Sequence, residues 1–147
     1  MRKEFVMRGQ TASTGAATEV LNFSGYKPGY AYRLTEFQIW SGADLHGANY
    51  ECSASITAGK VAIDPVLQDF NEEGLIGSAS VADDANTNYP TNFNSCVNDT
   101  FLITQNLILM VNDTHNGPVN WQCRFVSVKM NNAEEAAANF KQFSISD

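Results

Sequence analysis

Residues 48–57 read Ala48-Asn49-Tyr50-Glu51-Cys52-Ser53-Ala54-Ser55-Ile56-Thr57. Ala48, Tyr50, Cys52, Ala54 and Ile56 fall on one side, and Asn49, Glu51, Ser53, Ser55 and Thr57 on the other. Strict period-two alternation marks a strand with one buried and one wet face. Such strands build antiparallel sheets, whereas the parallel sheets of most cofactor enzymes are covered on both faces.

Upstream, the theme continues. Residues 3–9 and 18–24 read as strands, with a small, polar loop from Thr11 to Ala17 between them. Lys27-Pro28-Gly29 is a turn, because proline presets φ and glycine supplies φ > 0. Residues 30–40 form a long strand with a phase slip: Tyr30, Tyr32 and Leu34 share one parity, Phe37 and Ile39 the other. A β-bulge near Thr35-Glu36 puts both sets on one face. Residues 119–130 show the same slip, with Val119, Trp121, Cys123 and Phe125 on one parity and Val126, Val128 and Met130 on the other. Two long bulged strands predict strongly curved sheets, as in sandwiches and jelly rolls.

Downstream, residues 59–74 are an excursion with a helical turn around Val66 to Phe70, and 75–82 are a strand. Asp83 to Asn98 is the longest stretch without periodicity and is expected to be a functional or interface loop. The apolar runs Phe101-Leu102-Ile103 and Leu107 to Val111 are expected to be the most buried strands, between the sheets or under a neighbour. Asn132 is placed to cap a short helix over 133–139, with Glu134 and Glu135 at its positive end. The tail, Phe140 to Asp147, alternates again, as a closing strand or an arm for a neighbour's sheet edge. The expectation is a single all-β domain over 1–147, an antiparallel β-sandwich or jelly roll with one short C-terminal helix and 140–147 as a possible arm.

The composition narrows function by exclusion. At 147 residues the chain can bury a real core, and its 17% charged residues fall short of the usual quarter. Asn, Thr and Ser fill the gap, which suits a surface that packs against neighbours. The net charge is −7 and no Lys/Arg stripe is present, which disfavours nucleic acid and anionic membranes. No apolar run reaches transmembrane length. The basic start lacks the apolar stretch of a signal peptide, so either synthesis in the cytosol or a mature form is expected.

Catalytic sets are not evident. Cys52, Cys96 and Cys123 lack metal-site spacing, and Cys52 and Cys123 fall on apolar strand phases as small buried thiols. His46 and His115 sit in Gly/Asn-rich turns, and no Gly-x-Ser-x-Gly elbow marks a nucleophile. Asp83-Asp84-x-Asn86-x-Asn88 offers oxygens but lacks the closing Gly and Glu of a calcium loop. No metal, cofactor or enzyme activity is expected. Trp121 belongs with its strand's core phase, while Trp40 and Tyr89, at a strand end and in a loop, are free to meet a partner.

Three segments carry a resemblance: Met1-Arg2-Lys3-Glu4-Phe5-Val6-Met7-Arg8-Gly9, Leu21-Asn22-Phe23-Ser24-Gly25-Tyr26-Lys27-Pro28-Gly29-Tyr30, and Val119-Asn120-Trp121-Gln122-Cys123-Arg124-Phe125. Over most of its length the chain resembles small virion structural proteins of tailed bacteriophages, marine phages in particular. The resemblance implies a β-sandwich or jelly-roll accessory protein on the capsid surface, made in the host cytoplasm. It would decorate or cement the shell across major capsid protein subunits, often as a homotrimer. The contacts expected from the residues are Trp40, Tyr89 and Phe93, the C-terminal Phe140, Phe143 and Ile145, and the N-terminal Arg2, Lys3 and Arg8. The alternatives are a carbohydrate-binding or fibre-tip module, and a head-completion or tail component.

Overall fold

The computed structural model describes residues 3–23, 29–42, 50–59, 61–83, 92–114 and 116–145. These form β1 (Glu4–Gln10), β2 (Ala16–Leu21), β3 (Tyr30–Ser41), β4 (Tyr50–Thr57), β5 (Leu75–Asp83), β6 (Asn92–Val97), β7 (Leu107–Asp113), β8 (Val119–Lys129) and α1 (Asn132–Ile145). Two antiparallel sheets pack face to face, one in the order β1-β8-β3 and the other β2-β7-β4-β5-β6. The pairs β1/β8, β2/β7 and β4/β5 are the rungs of one long ribbon. Folding that ribbon over brings β8 beside β3 and β7 beside β4. This winding makes an antiparallel β-sandwich of three and five strands. The remaining rung, β3 with β6, is held by side chains, because β6 takes its ladder from β5.

The apolar phase of β4 lies in the core: Tyr50, Cys52, Ala54 and Ile56 are all buried. The bulge in β3 falls where its phase slip predicts, with the register shifting between Leu34 and Glu36. Thr35 is the extra residue, and Leu34 and Phe37 consequently both face inward. They converge on Gly77 of β5, where an added Cβ would lie 3.1 Å from Leu34 and 3.2 Å from Ile56. A side chain here would force Leu34 or Ile56 to shift by a few tenths of an ångström.

The slip in β8 has another cause. β8 pairs with β1 without interruption from Glu4↔Val126 to Gln10↔Asn120. Val126 therefore stays on the outer face with Val128 and Met130. Met130 packs there with Ala31 and Ala138 in a second, smaller cluster beside Leu102. The second apolar parity reports a cover on the outer face rather than a second bulge.

Three further expectations are corrected. Phe101-Leu102-Ile103 is not a strand: Ile103 makes a single bridge to Tyr32, with backbone bonds of 2.7 and 2.9 Å. β7 is central in its sheet but alternates, Leu107, Leu109 and Val111 facing the core while Ile108 and Met110 are half-buried. Part of the expected 83–98 loop is the edge strand β6, too short for its Phe93 and Val97 to show a period; residues 84–91 lie outside the described residues.

The C-terminus is helical through Ile145, not an alternating strand or extended arm. Ala138 and Gln142 are buried and Ile145 packs on the core, a spacing of four and three that belongs to one helix face. Asn131 caps the helix instead of Asn132: its side chain accepts from the Glu134 N–H at 2.8 Å, and Glu134 reaches back to the Asn131 N–H at 3.5 Å. Ala138 lies on the outer face of the three-stranded sheet, while Ile145 abuts Gly59 and Gly74 beside the β4/β5 connection. The helix thus bridges both sheets at one end of the sandwich. No helix among the described residues is long and apolar enough to cross a membrane.

Candidate functional site

The connection from β4 to β5 is a strap laid over the outer face of the five-stranded sheet. The wet phase of β4 supplies its anchors. The Ser55 hydroxyl donates to the Ile63 carbonyl at 2.6 Å, and Thr57 Oγ1 accepts from the Ile63 N–H at 3.1 Å. Gln68 donates to the Ala54 and Pro65 carbonyls at 3.2 and 2.9 Å and accepts from the Ser78 hydroxyl. The Asp64 and Asp69 side chains each accept from the backbone two residues on, at 2.9 Å, and shape the turns. With its polar backbone tied down, the strap turns its apolar side chains outward. Val61 is 79% exposed, Leu67 76%, Phe70 69% and Val66 59%. A concentration of large apolar groups on one short segment is what an interaction surface looks like.

The opposite outer face, that of the three-stranded sheet, is chemically different. The register aligns Gln10, Asn120 and Trp40 in one row, Arg8, Gln122 and Gln38 in the next, and Val6, Arg124 and Glu36 in a third. Trp40 stacks on Phe93 of β6, with centroids 4.7 Å apart and rings 19° from parallel. Both rings stay exposed, at 58% and 45%. Asn120 accepts from Gln10 at 3.1 Å and donates to the Ser41 carbonyl at 3.3 Å. Arg124 pairs with Glu36 at 3.4 Å. This surface lies at the end of the sandwich away from α1.

Between the sheets, near the Trp40 end, the Tyr50 hydroxyl donates to Asp113 Oδ2 at 3.0 Å, both residues being buried. Burial holds the Tyr50 hydroxyl above the ordinary tyrosine range and pushes the Cys52 thiol up to about 11. Burial also raises the Cys123 thiol. Both thiols are therefore protonated at neutral pH and serve as packing groups. Cys96 is exposed on β6.

Of the contacts expected from sequence, the structure brings Trp40 and Phe93 together. Phe140 is 74% exposed on α1, and Lys3 and Arg8 are exposed on or beside β1. Ile145 is turned into its own domain against Gly59 and Gly74, so it is not an outward contact. Tyr89, Arg2 and the side chain of Phe143 lie outside the described residues. Sequence reasoning missed the strap. Its signal was present: Val61, Val66, Leu67 and Phe70 are apolar residues in a stretch with no period to bury them. No family model matches the chain, and no curated protein matches it.

Proposed function

We propose that this chain is a non-enzymatic structural protein of a tailed-phage particle, which decorates or cements the capsid by docking the strap against major capsid protein subunits. The observation that carries this reading is the strap's four exposed apolar side chains on a β-sandwich frame. The resemblance of the three segments quoted above supplies the kind of particle. Apolar side chains on an anchored segment bind with little ordering cost, because the side-chain hydrogen bonds of Ser55, Thr57 and Gln68 already fix it. Three copies around a local symmetry axis would dock three straps at once, so weak contacts sum to avid binding. Head-completion and tail roles use the same surface with different copy number.

The test is genetic and physical. Mass spectrometry of gradient-purified particles of the encoding phage should find the protein in stoichiometric amounts. Particles from a deletion strain should release DNA at a lower temperature. Absence from purified particles, together with unchanged heat stability on deletion, overturns the reading.

A further inference from the structure

The face opposite the strap carries its own chemistry. Its end away from α1 offers the stacked Trp40 and Phe93 rings and, beside them across three strands, four amides: Asn120, Gln10, Gln38 and Gln122. Neighbouring strands lie about 4.8 Å apart, so the two outer strands of this sheet are separated by about 10 Å. We propose that this surface is a binding site for a neutral oligosaccharide.

Three features point to that ligand class. First, the Trp40 ring stacks on Phe93, which restricts its plane before any ligand arrives. A restricted aromatic plane suits the C–H face of a pyranose ring, which is apolar and rigid. Second, carboxamides both donate and accept, as sugar hydroxyls do. Asn120 is oriented by Gln10 on one side and the Ser41 carbonyl on the other, and all these groups stand on strands rather than loops. Third, the charge is nearly balanced. Arg124 and Glu36 neutralise each other, which leaves Arg8 as the one unmatched charge in the three rows. On a chain of net charge −7 this is no phosphate or carboxylate trap. An apolar protein partner is the poorer match, since among the described residues only Trp40, Phe93 and Val6 are apolar here, while interface cores are depleted of charged groups.

The proposal goes beyond the docking reading and does not depend on it, because the two surfaces lie on opposite faces. The test is native affinity electrophoresis of the purified full chain in gels containing mannan, mixed-linkage β-glucan or galactomannan, with alginate as the anionic control. Retardation is expected in at least one neutral polysaccharide and not in alginate. Trp40→Ala should weaken it about tenfold or more, consistent with the loss of a stacking partner. Gln122→Ala, which leaves the aromatic pair in place, should weaken it several-fold. The strap variant Leu67→Asp should bind sugar like the wild type whatever it does to particle binding. Far-UV circular dichroism checks that each variant is folded. No retardation in any neutral gel, retardation in alginate alone, or equal retardation of wild type and both face variants overturns the proposal.

Discussion

The Ser55 hydroxyl donates a 2.6 Å hydrogen bond to the carbonyl of Ile63. With Thr57 accepting from the same residue's N–H, both backbone polar groups of Ile63 are satisfied by the nominally wet face of β4. This pairing makes Ser55 and Thr57 buried and leaves the strap's apolar side chains facing out. Replacing Ser55 with Ala and Thr57 with Val together removes both bonds and leaves Ile63 to find water. The double variant should lose about 1–3 kcal/mol in urea unfolding. Amide exchange over 61–74 should accelerate more than exchange in β7. Equal protection of the strap in variant and wild type would show that other contacts hold it.

Gln142 ties α1 to the loop before β7. Its Oε1 accepts from the Thr104 N–H at 2.7 Å and from the Gln105 N–H at 3.1 Å, in a position only 1% exposed. Gln142→Ala orphans the buried Thr104 donor and a half-buried one at Gln105, and should cost about 1–3 kcal/mol. Gln142→Glu keeps the acceptor and should retain more stability than Ala at neutral pH. Denaturation midpoints of the three proteins check the order.

Alkaline pH should destabilise the fold. Cys52 is held near 11 and Cys123 is also raised by burial, while both thiols ionise at their ordinary value near 9 once the chain unfolds. The contribution of the buried thiols is therefore fully present below pH 9 and is lost as pH rises toward the folded-state values. Each thiol steepens the loss by about 1.4 kcal/mol per pH unit above 9. Urea midpoints at pH 7, 9 and 10.5 measure it. Cys52→Ala should begin less stable at pH 7, from the smaller side chain, but lose less between pH 9 and 10.5.

Trp40 and Phe93 join the two sheets at the rung where no ladder does. A double-mutant cycle with Trp40→Ala and Phe93→Ala should return a coupling of about 0.5–1.5 kcal/mol, read from urea unfolding. A coupling of zero would mean that β6 is held by β5 alone.

The fold class was legible because period-two burial acts locally: the alternation of Tyr50, Cys52, Ala54 and Ile56 and the slip at Thr35 each follow from one residue facing one way. What was hidden depends on cover from distant segments. Ser55 and Thr57 look solvent-facing until the strap folds over them, and Met130 looks like part of a second bulge until Ala138 of α1 packs on it at the outer face. The tail misled because Phe140, Gln142 and Ser144 alternate with Lys141, Phe143 and Ile145 at period two, yet the buried positions 138 and 142 and the core-packing 145 select a helix. Trp40 and Phe93 were each readable as contacts, but their stacking required the winding that brings β6 to the edge of β3.

If the strap docks onto a phage shell as proposed, its outward apolar side chains carry the binding. The direct measurement is add-back: purified wild-type protein and a Leu67→Asp/Phe70→Asp variant are mixed with heads from a deletion strain of the encoding phage, and the bound fraction is measured by cosedimentation. The account predicts saturable binding of the wild type, at least tenfold weaker binding of the variant, and restored heat stability only with the wild type. Heads that bind both proteins equally, or neither, would contradict it.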